Sequence, residues 1–267
     1  MPGKCRIGNW QEEIVFEEDR KRLQDSAKET GGLLSHQILS KVRHHKKVCS
    51  LQSLLPDGHL RFNAPLMLQN AETDGFLSTD IDDKLEGENG WKVACTTARS
   101  EDANLRNSFV FVPAKSADDP FFAGKGETDV VHYGQKFAVQ THPDLLEVPM
   151  YLLSQLKTPT SKSKVTANQE VYLSEDVSMG GLWSLQYANA DYRMEMEGQP
   201  VKANALCVVS HTTSNTPLAS TKATCGNDFG VEFEVCAARL LKFNSRSGNA
   251  PGDKPMFWAM VTGPAAQ

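Results

Sequence analysis

Three stretches of this chain open alike at a spacing near 70 residues, and a fixed period of that size dictates an architecture before any single residue type is weighed. Leu60-Arg-Phe-Asn-Ala-Pro-Leu-Met-Leu68 is followed by Gly75-Phe-Leu-Ser78. Val131-His-Tyr-Gly-Gln-Lys-Phe-Ala-Val139 leads to Met150-Tyr-Leu-Leu-Ser154, and Val201-Lys-Ala-Asn-Ala-Leu-Cys-Val208 to Pro217-Leu-Ala-Ser220. Leu66, Phe137 and Leu206 take the equivalent place, 71 and 69 residues apart. Each stretch continues into a further strand-like run: Trp91-Lys-Val-Ala-Cys95, Glu170-Val-Tyr-Leu173 and Val231-Glu-Phe-Glu-Val235. Each then closes on an aromatic run, in which Phe109, Trp183 and Trp258 lie 74 and 75 residues apart. Turn residues punctuate these runs, as at Asn89-Gly90, Met179-Gly180-Gly181 and Ser247-Gly248-Asn249.

Three units of four strands predict a mainly β chain folded as a β-trefoil. One four-strand unit cannot bury its apolar face alone, whereas three around a pseudo-three-fold axis close a barrel and remove open edges. The expected units are about 58–115, 128–190 and 198–263, inside a trefoil domain of residues 51–267. The recurrent aromatics are expected to fill its core, so that exchanging them for Ala costs several kcal/mol each. A generic β-sandwich is the competing architecture.

Residues 1–50 read differently, as a helical N-terminal arm. Gln11 to about Lys28 is dense in Glu, Asp, Lys and Arg with few β-branched residues, which favours helix while offering little apolar surface. Gly31-Gly32 interrupts it; Leu34, Ile38 and Val42 then recur at i, i+4 and i+8 with Leu39 beside them, a narrow stripe on a second helix. Arg43-His-His-Lys-Lys47 places cations at that helix's negative end. It reads either as a solvated terminus or as an anionic docking patch carried by Arg43, Lys46 and Lys47. The arm holds ten Lys/Arg against seven Asp/Glu, leaving 18 against 26 in the remainder, so the arm suits an acidic partner while the body is net acidic.

Composition narrows the function classes further. A net charge of −5 argues against nucleic acid as the main ligand, because phosphate neutralisation needs a cationic surplus. No stretch approaches the roughly 20 apolar residues of a membrane span, and Met1–Trp10 lacks the apolar core of a signal peptide. The six dispersed cysteines contain no C-x-x-C pattern, which fits a reducing compartment and signals neither zinc nor a disulfide framework. Together these features predict a chain that is cytosolic or associated with a cytosolic structure, with no cofactor.

Chemistry-bearing motifs are weak throughout. No nucleophile elbow, helical zinc pair, dinucleotide loop or deaminase signature occurs, so no enzyme is expected. Phe122-Ala-Gly124-Lys125-Gly126 lacks the first Gly and the hydroxyl residue of a phosphate loop and reads as a tight turn. Asp80, Asp82 and Asp83 lack the register of a calcium loop and read as an acidic surface turn. His44, His45, His132, His142 and His211 show no metal spacing and read as structural or surface residues. The Q-x-W motif of sugar-binding trefoils is absent.

Four segments carry a family resemblance: Arg6-Ile-Gly-Asn-Trp-Gln-Glu-Glu13, Gln169-Glu-Val-Tyr-Leu-Ser-Glu-Asp-Val177, Asp191-Tyr-Arg-Met-Glu-Met-Glu-Gly-Gln-Pro-Val201 and Trp258-Ala-Met-Val-Thr-Gly263. In this order, across nearly the whole chain, they resemble the cilia- and flagella-associated protein 161 family. That resemblance implies a microtubule inner protein of the axonemal doublet, in the A-tubule lumen of motile cilia and flagella, bound to α/β-tubulin and other inner proteins. The repeats are also similar to the MIR type of trefoil unit, which implies a carbohydrate or lipid-headgroup binding module as the alternative. Within the arm, Ile7, Trp10, Ile14 and Phe16 are the expected apolar anchors, since a buried aromatic supplies much contact energy for its size. Trp10 could equally fold back on the trefoil. Relatives can carry a further tail beyond the position of Gly263.

Overall fold

The computed structural model describes residues 10–29, 34–85, 92–100, 102–115, 129–159, 161–175, 178–240 and 254–265. Ile7, Cys5, Gly31-Gly32, Asn89-Gly90, Trp91, Phe122–Gly126 and Ser247–Asn249 lie outside them. Two compact units result, Met1–His44 and His45–Gln267. The second begins six residues before the expected boundary at 51, for a reason given below.

The first unit carries α1 (Trp10–Glu29) and α2 (Leu34–His45), whose final residue begins the second unit. Both helices match the propensity and stripe arguments closely. On α1, Arg22 lies 3.9 Å from Glu18 and 3.6 Å from Asp19, the one-turn neighbours that support a solvated helix by a few tenths of a kcal/mol.

The second unit contains β1 (Ser53–Leu54), β2 (Pro65–Asn70), β3 (Phe76–Leu85), β4 (Lys92–Ala98), β5 (Phe109–Pro113), β6 (Lys136–Thr141) and β7 (Tyr151–Ser154). It continues through β8 (Gln169–Ser174), β9 (Leu182–Tyr187), the one-turn α3 (Arg193–Met196), β10 (Leu206–His211), β11 (Thr216–Asn227), β12 (Gly230–Ala237), β13 (Phe257–Val261) and β14 (Gly263–Ala265). Six strands pair in a closed cycle: β2 with β5, β5 with β6, β6 with β9, β9 with β10, β10 with β13, and β13 back to β2. The hairpins β3–β4, β7–β8 and β11–β12 form a second cycle, because β4 pairs β8, β8 pairs β12 and β12 pairs β4. A six-stranded barrel capped by three mutually paired hairpins is a β-trefoil, as the repeats predict.

The three-fold pattern extends to single hydrogen bonds. The Leu60 amide donates to the Val201 carbonyl, Val201 to Val131, and Val131 to Leu60, each at 2.9 Å, closing a ring of main chain around the axis. Three residues further on, Asn63, Gly134 and Asn204 adopt φ of +57°, +81° and +60°. These are the residue types that tolerate the left-handed region. Their amides donate to Phe111, Leu185 and Met260 on the closing strands, at 2.8, 2.9 and 2.9 Å.

The core follows the same rule. Leu66 stands opposite Phe109, Phe137 opposite Trp183, and Cys207 opposite Trp258, all fully buried. The indole N–H groups of Trp183 and Trp258 donate to the carbonyls of Leu152 and Leu218 at 2.8 and 2.9 Å, satisfying each ring's one polar atom. One expectation is corrected here: the third-unit partner of Leu66 and Phe137 is Cys207, and Leu206 is instead 46% exposed. A slip of one residue in a strand moves a side chain to the other face, so Cys207 points into the core and Leu206 away from it.

Candidate functional site

The arm presents apolar side chains to solvent, but not as one face. Ile14 is 50% exposed, Phe16 70% and Leu23 72%. Successive helix residues turn by about 100°, so Phe16 sits roughly 200° from Ile14 and close to the direction of Leu23, seven residues on. A single flat partner therefore meets either the Ile14 edge or the Phe16–Leu23 edge, which splits the anchor set expected from the residues. Ile7 lies outside the described residues.

Lys46 and Lys47 belong to the trefoil unit, and Arg43 to the arm; all three are exposed. The lead-in segment after α2 is strapped antiparallel along residues 103–106. The Arg106 amide donates to the His45 carbonyl at 3.2 Å, Leu105 to Lys47 at 3.1 Å, and Cys49 to Ala103 at 3.2 Å. Cys49 Sγ also meets Ser108 Oγ at 3.0 Å. These bonds are why the second unit starts at His45.

Beneath the strap lies a buried ionic knot that no sequence pattern signals. Arg106 donates from Nη1 and Nη2 to the two carboxylate oxygens of Glu232 at 2.8 and 3.0 Å, and from Nε to the Thr79 carbonyl at 3.1 Å. Glu232 also accepts from Thr96 Oγ1 at 2.5 Å and Asn227 Nδ2 at 2.7 Å. Burial alone would raise the Glu232 pKa, but the Arg106 hydrogen bonds and charge, with help from Thr96 and Asn227, hold it below the usual carboxylate range. Phe229, at the tip of the β11–β12 hairpin, covers the pair. Its ring centre is 3.8 Å from the Arg106 guanidinium carbon, 5.3 Å from the His45 ring and 6.0 Å from Lys46 Nζ.

Above this knot opens a cleft of about 460 Å³, between the lead-in segment, residues 97–107 and the hairpin tip. Its charged lining is Lys46, Arg99, Asp102, Arg106 and Glu232. Lys46 was in the basic run; Arg99 and Phe229 were unmarked in the sequence.

The other candidates disperse. Asp80, Asp82 and Asp83 lie on β3 rather than on a surface turn: Asp80 is buried and accepts the Asp82 amide at 3.2 Å, while Asp83 faces Lys164 at 3.4 Å. That strand is irregular between Thr79 and Lys84, and the Asp80 carboxylate satisfies a main-chain donor within the irregular stretch. His211 ends β10, buried, with Nε2 3.0 Å from the Gly180 carbonyl and Nδ1 2.8 Å from Ser214 Oγ. Burial lowers its pKa. Gly180 itself has no room for a side chain, since an added Cβ would meet the Ser154 carbonyl oxygen at 2.9 Å. Burial likewise pushes the Cys207 and Cys236 thiols up to about 11. No group of three or more His, Cys, Asp or Glu side chains suited to a metal occurs among the described residues, and no described helix is long and apolar enough to cross a membrane.

Comparison with solved structures agrees on architecture. An SDF2-like protein from Arabidopsis thaliana superposes with a TM-score of 0.56 at 16% identity, covering 78% of this chain and 99% of that one. The S. cerevisiae protein O-mannosyltransferase Pmt1-Pmt2 complex matches at 0.52 and 13% identity, over 76% of this chain and 25% of that one. At such identities the likeness concerns the fold alone. Sequence comparison goes further. Cilia- and flagella-associated protein 161 of Bos taurus is 27% identical over 97% of this chain and 81% of its own length, and that of Mus musculus 27% over 98% and 88%. A model of the cilia- and flagella-associated protein 161-like domain matches residues 90–247, more than half of the chain and most of its three-fold body. The chain therefore belongs to the cilia- and flagella-associated protein 161-like family.

Proposed function

We propose that this chain is a non-catalytic, cilium- and flagellum-associated structural protein: a microtubule inner protein of the axonemal doublet, seated in the A-tubule lumen and bound to tubulin and neighbouring inner proteins. The observation that carries the reading is family membership, with relatives named for cilia and flagella that align over nearly all of this chain. The structure adds a physical rationale. A barrel whose interior is filled by Phe109, Trp183, Trp258 and their neighbours is a rigid body with no room for substrate at its centre. The arm presents Phe16 and Leu23 on one helix edge, apolar surface that a partner would cover.

Co-sedimentation with detergent-extracted axonemes tests the proposal. The chain should stay with the doublets and leave only when they are disrupted; release with soluble matrix protein would overturn it. Phe16→Ser with Leu23→Ser should leave the melting temperature of the trefoil unchanged while weakening retention several-fold. Retention equal to the unaltered chain would remove the arm from the docking surface. Glycan and lipid-headgroup arrays address the MIR-like alternative, for which only the fold speaks.

A further inference from the structure

Two cations on the cleft above Arg106 are held over aromatic rings rather than by carboxylates. Lys46 Nζ lies 6.0 Å from the Phe229 ring centre, and Arg99 Cζ lies 5.8 Å from that of Phe233. No ion pair engages either of them among the described residues, whereas Arg106 and Glu232 neutralise one another below. Asp102, exposed on the rim, is the one remaining acidic side chain of the lining among the described residues. Beside these cations, Val48 and Val231 are 72% and 78% exposed, two β-branched apolar side chains turned outward at the mouth of the same cleft.

We infer that this cleft is a docking site for an acidic segment of a partner protein, whose carboxylates meet Lys46 and Arg99 and whose apolar side chain lies between Val48 and Val231. Charge complementarity fixes the occupant's sign, and the apolar rim makes it a peptide rather than a bare anion. The background field sharpens the argument. Residues 51–267 hold 18 Lys/Arg against 26 Asp/Glu, so an acidic ligand meets a repelling body and must be drawn by a local cationic cluster such as this one. The ring-held cations suit the task, because a cation–π contact costs little to exchange for a carboxylate, while a preformed salt bridge would have to be broken. The knot beneath keeps the floor rigid, so the two sides of the cleft stay in register. This site stands apart from the doublet assignment: it specifies a recognition chemistry, whichever assembly supplies the acidic chain.

The probe is a fluorescein-labelled Glu-rich peptide with one central Phe, titrated by anisotropy against the full chain. Saturable binding that weakens at least tenfold or so in K46E/R99E supports the site, since like charges placed across an interface are strongly disfavoured. Lys157→Glu, an exposed charge change outside the cleft, should alter affinity less than about twofold. Should K46E/R99E fail to fold by circular dichroism, R99Q and V231S read the same surface with smaller perturbations, and each should weaken binding several-fold. Absence of saturable binding to the unaltered chain, an equal loss in the Lys157 variant, or equal affinity for the same peptide with Lys in place of Glu would each overturn the inference.

Discussion

Replacing Arg106 by Met removes the counter-charge that does most to keep Glu232 ionised inside the protein. Glu232 would keep Thr96 and Asn227 as donors, but it would lose both charge-assisted bonds while remaining 6% exposed. The Thr79 carbonyl loses its Arg106 donor, and the Phe229 ring its cation. Breaking one side of a buried pair costs about 3–5 kcal/mol, a large share of the roughly 5–15 kcal/mol that holds an ordinary domain together. For a domain of this size that corresponds to a fall in melting temperature on the order of 10 °C. Urea unfolding followed by tryptophan fluorescence measures it directly, because Trp183 and Trp258 are core residues. The pH dependence of the loss has a definite direction. In the native protein the lowered Glu232 pKa contributes stability that is present above the unfolded value and lost as pH falls through the folded one. In the variant, burial without a counter-charge raises that pKa, so acidification neutralises the stranded charge. The gap between the two proteins should therefore be widest near neutrality and narrow toward about pH 4. Arg106→Met combined with Glu232→Leu should recover most of the loss, since a well-packed apolar pair replaces a buried ionic one at little cost. A single-variant loss under about 1 kcal/mol, or a gap that stays constant with pH, would refute the reasoning.

Three further outcomes are expected. Trp258→Ala should cost about 3–5 kcal/mol, whereas Trp258→Phe should cost far less, chiefly the bond to the Leu218 carbonyl; equal losses by denaturant titration would contradict the packing described. Asn204→Val should destabilise by about 1–3 kcal/mol and Asn204→Gly by much less, because only the former resists a φ of +60°; thermal melts separate the two. Since burial lowers the His211 pKa, native stability should be complete above the ordinary histidine value and decline as pH falls below it; His211→Gln should flatten that part of the profile, and an unchanged slope would assign the decline elsewhere.

The architecture was legible because three-fold packing repeats its demands. Every unit needs an apolar residue at its ring position, a left-handed residue three places on and an aromatic or aliphatic closer, and these leave a period in the chain. The misplaced residue shows how alignment by side-chain class alone goes astray. Asn63, Gly134 and Asn204 set the register without ambiguity, and from them Cys207 falls beside Leu66 and Phe137; Cys behaves as a small buried apolar residue, a habit its polar reputation hides. The ionic knot left no such trace. Arg106 and Glu232 are 126 positions apart and are of types that usually lie on the surface, so nothing local marks them as partners. Asp80 is hidden for a related reason: its burial depends on an irregularity in β3, which a run of acidic residues does not announce. For the candidate cleft, the basic run disclosed Lys46, but the rings that hold it and Arg99 come from a hairpin more than 120 residues later in the chain.

The ring of amides through Leu60, Val131 and Val201 has a consequence for how the protein is made. Its members are contributed one per unit, so a nascent chain cannot complete the circle until the last unit has begun to emerge, and the barrel around it cannot close until β13 pairs β2. Until then each waiting amide and carbonyl must be kept wet or chaperoned, and a premature stop within the final unit should yield an unfolded product rather than a smaller working one.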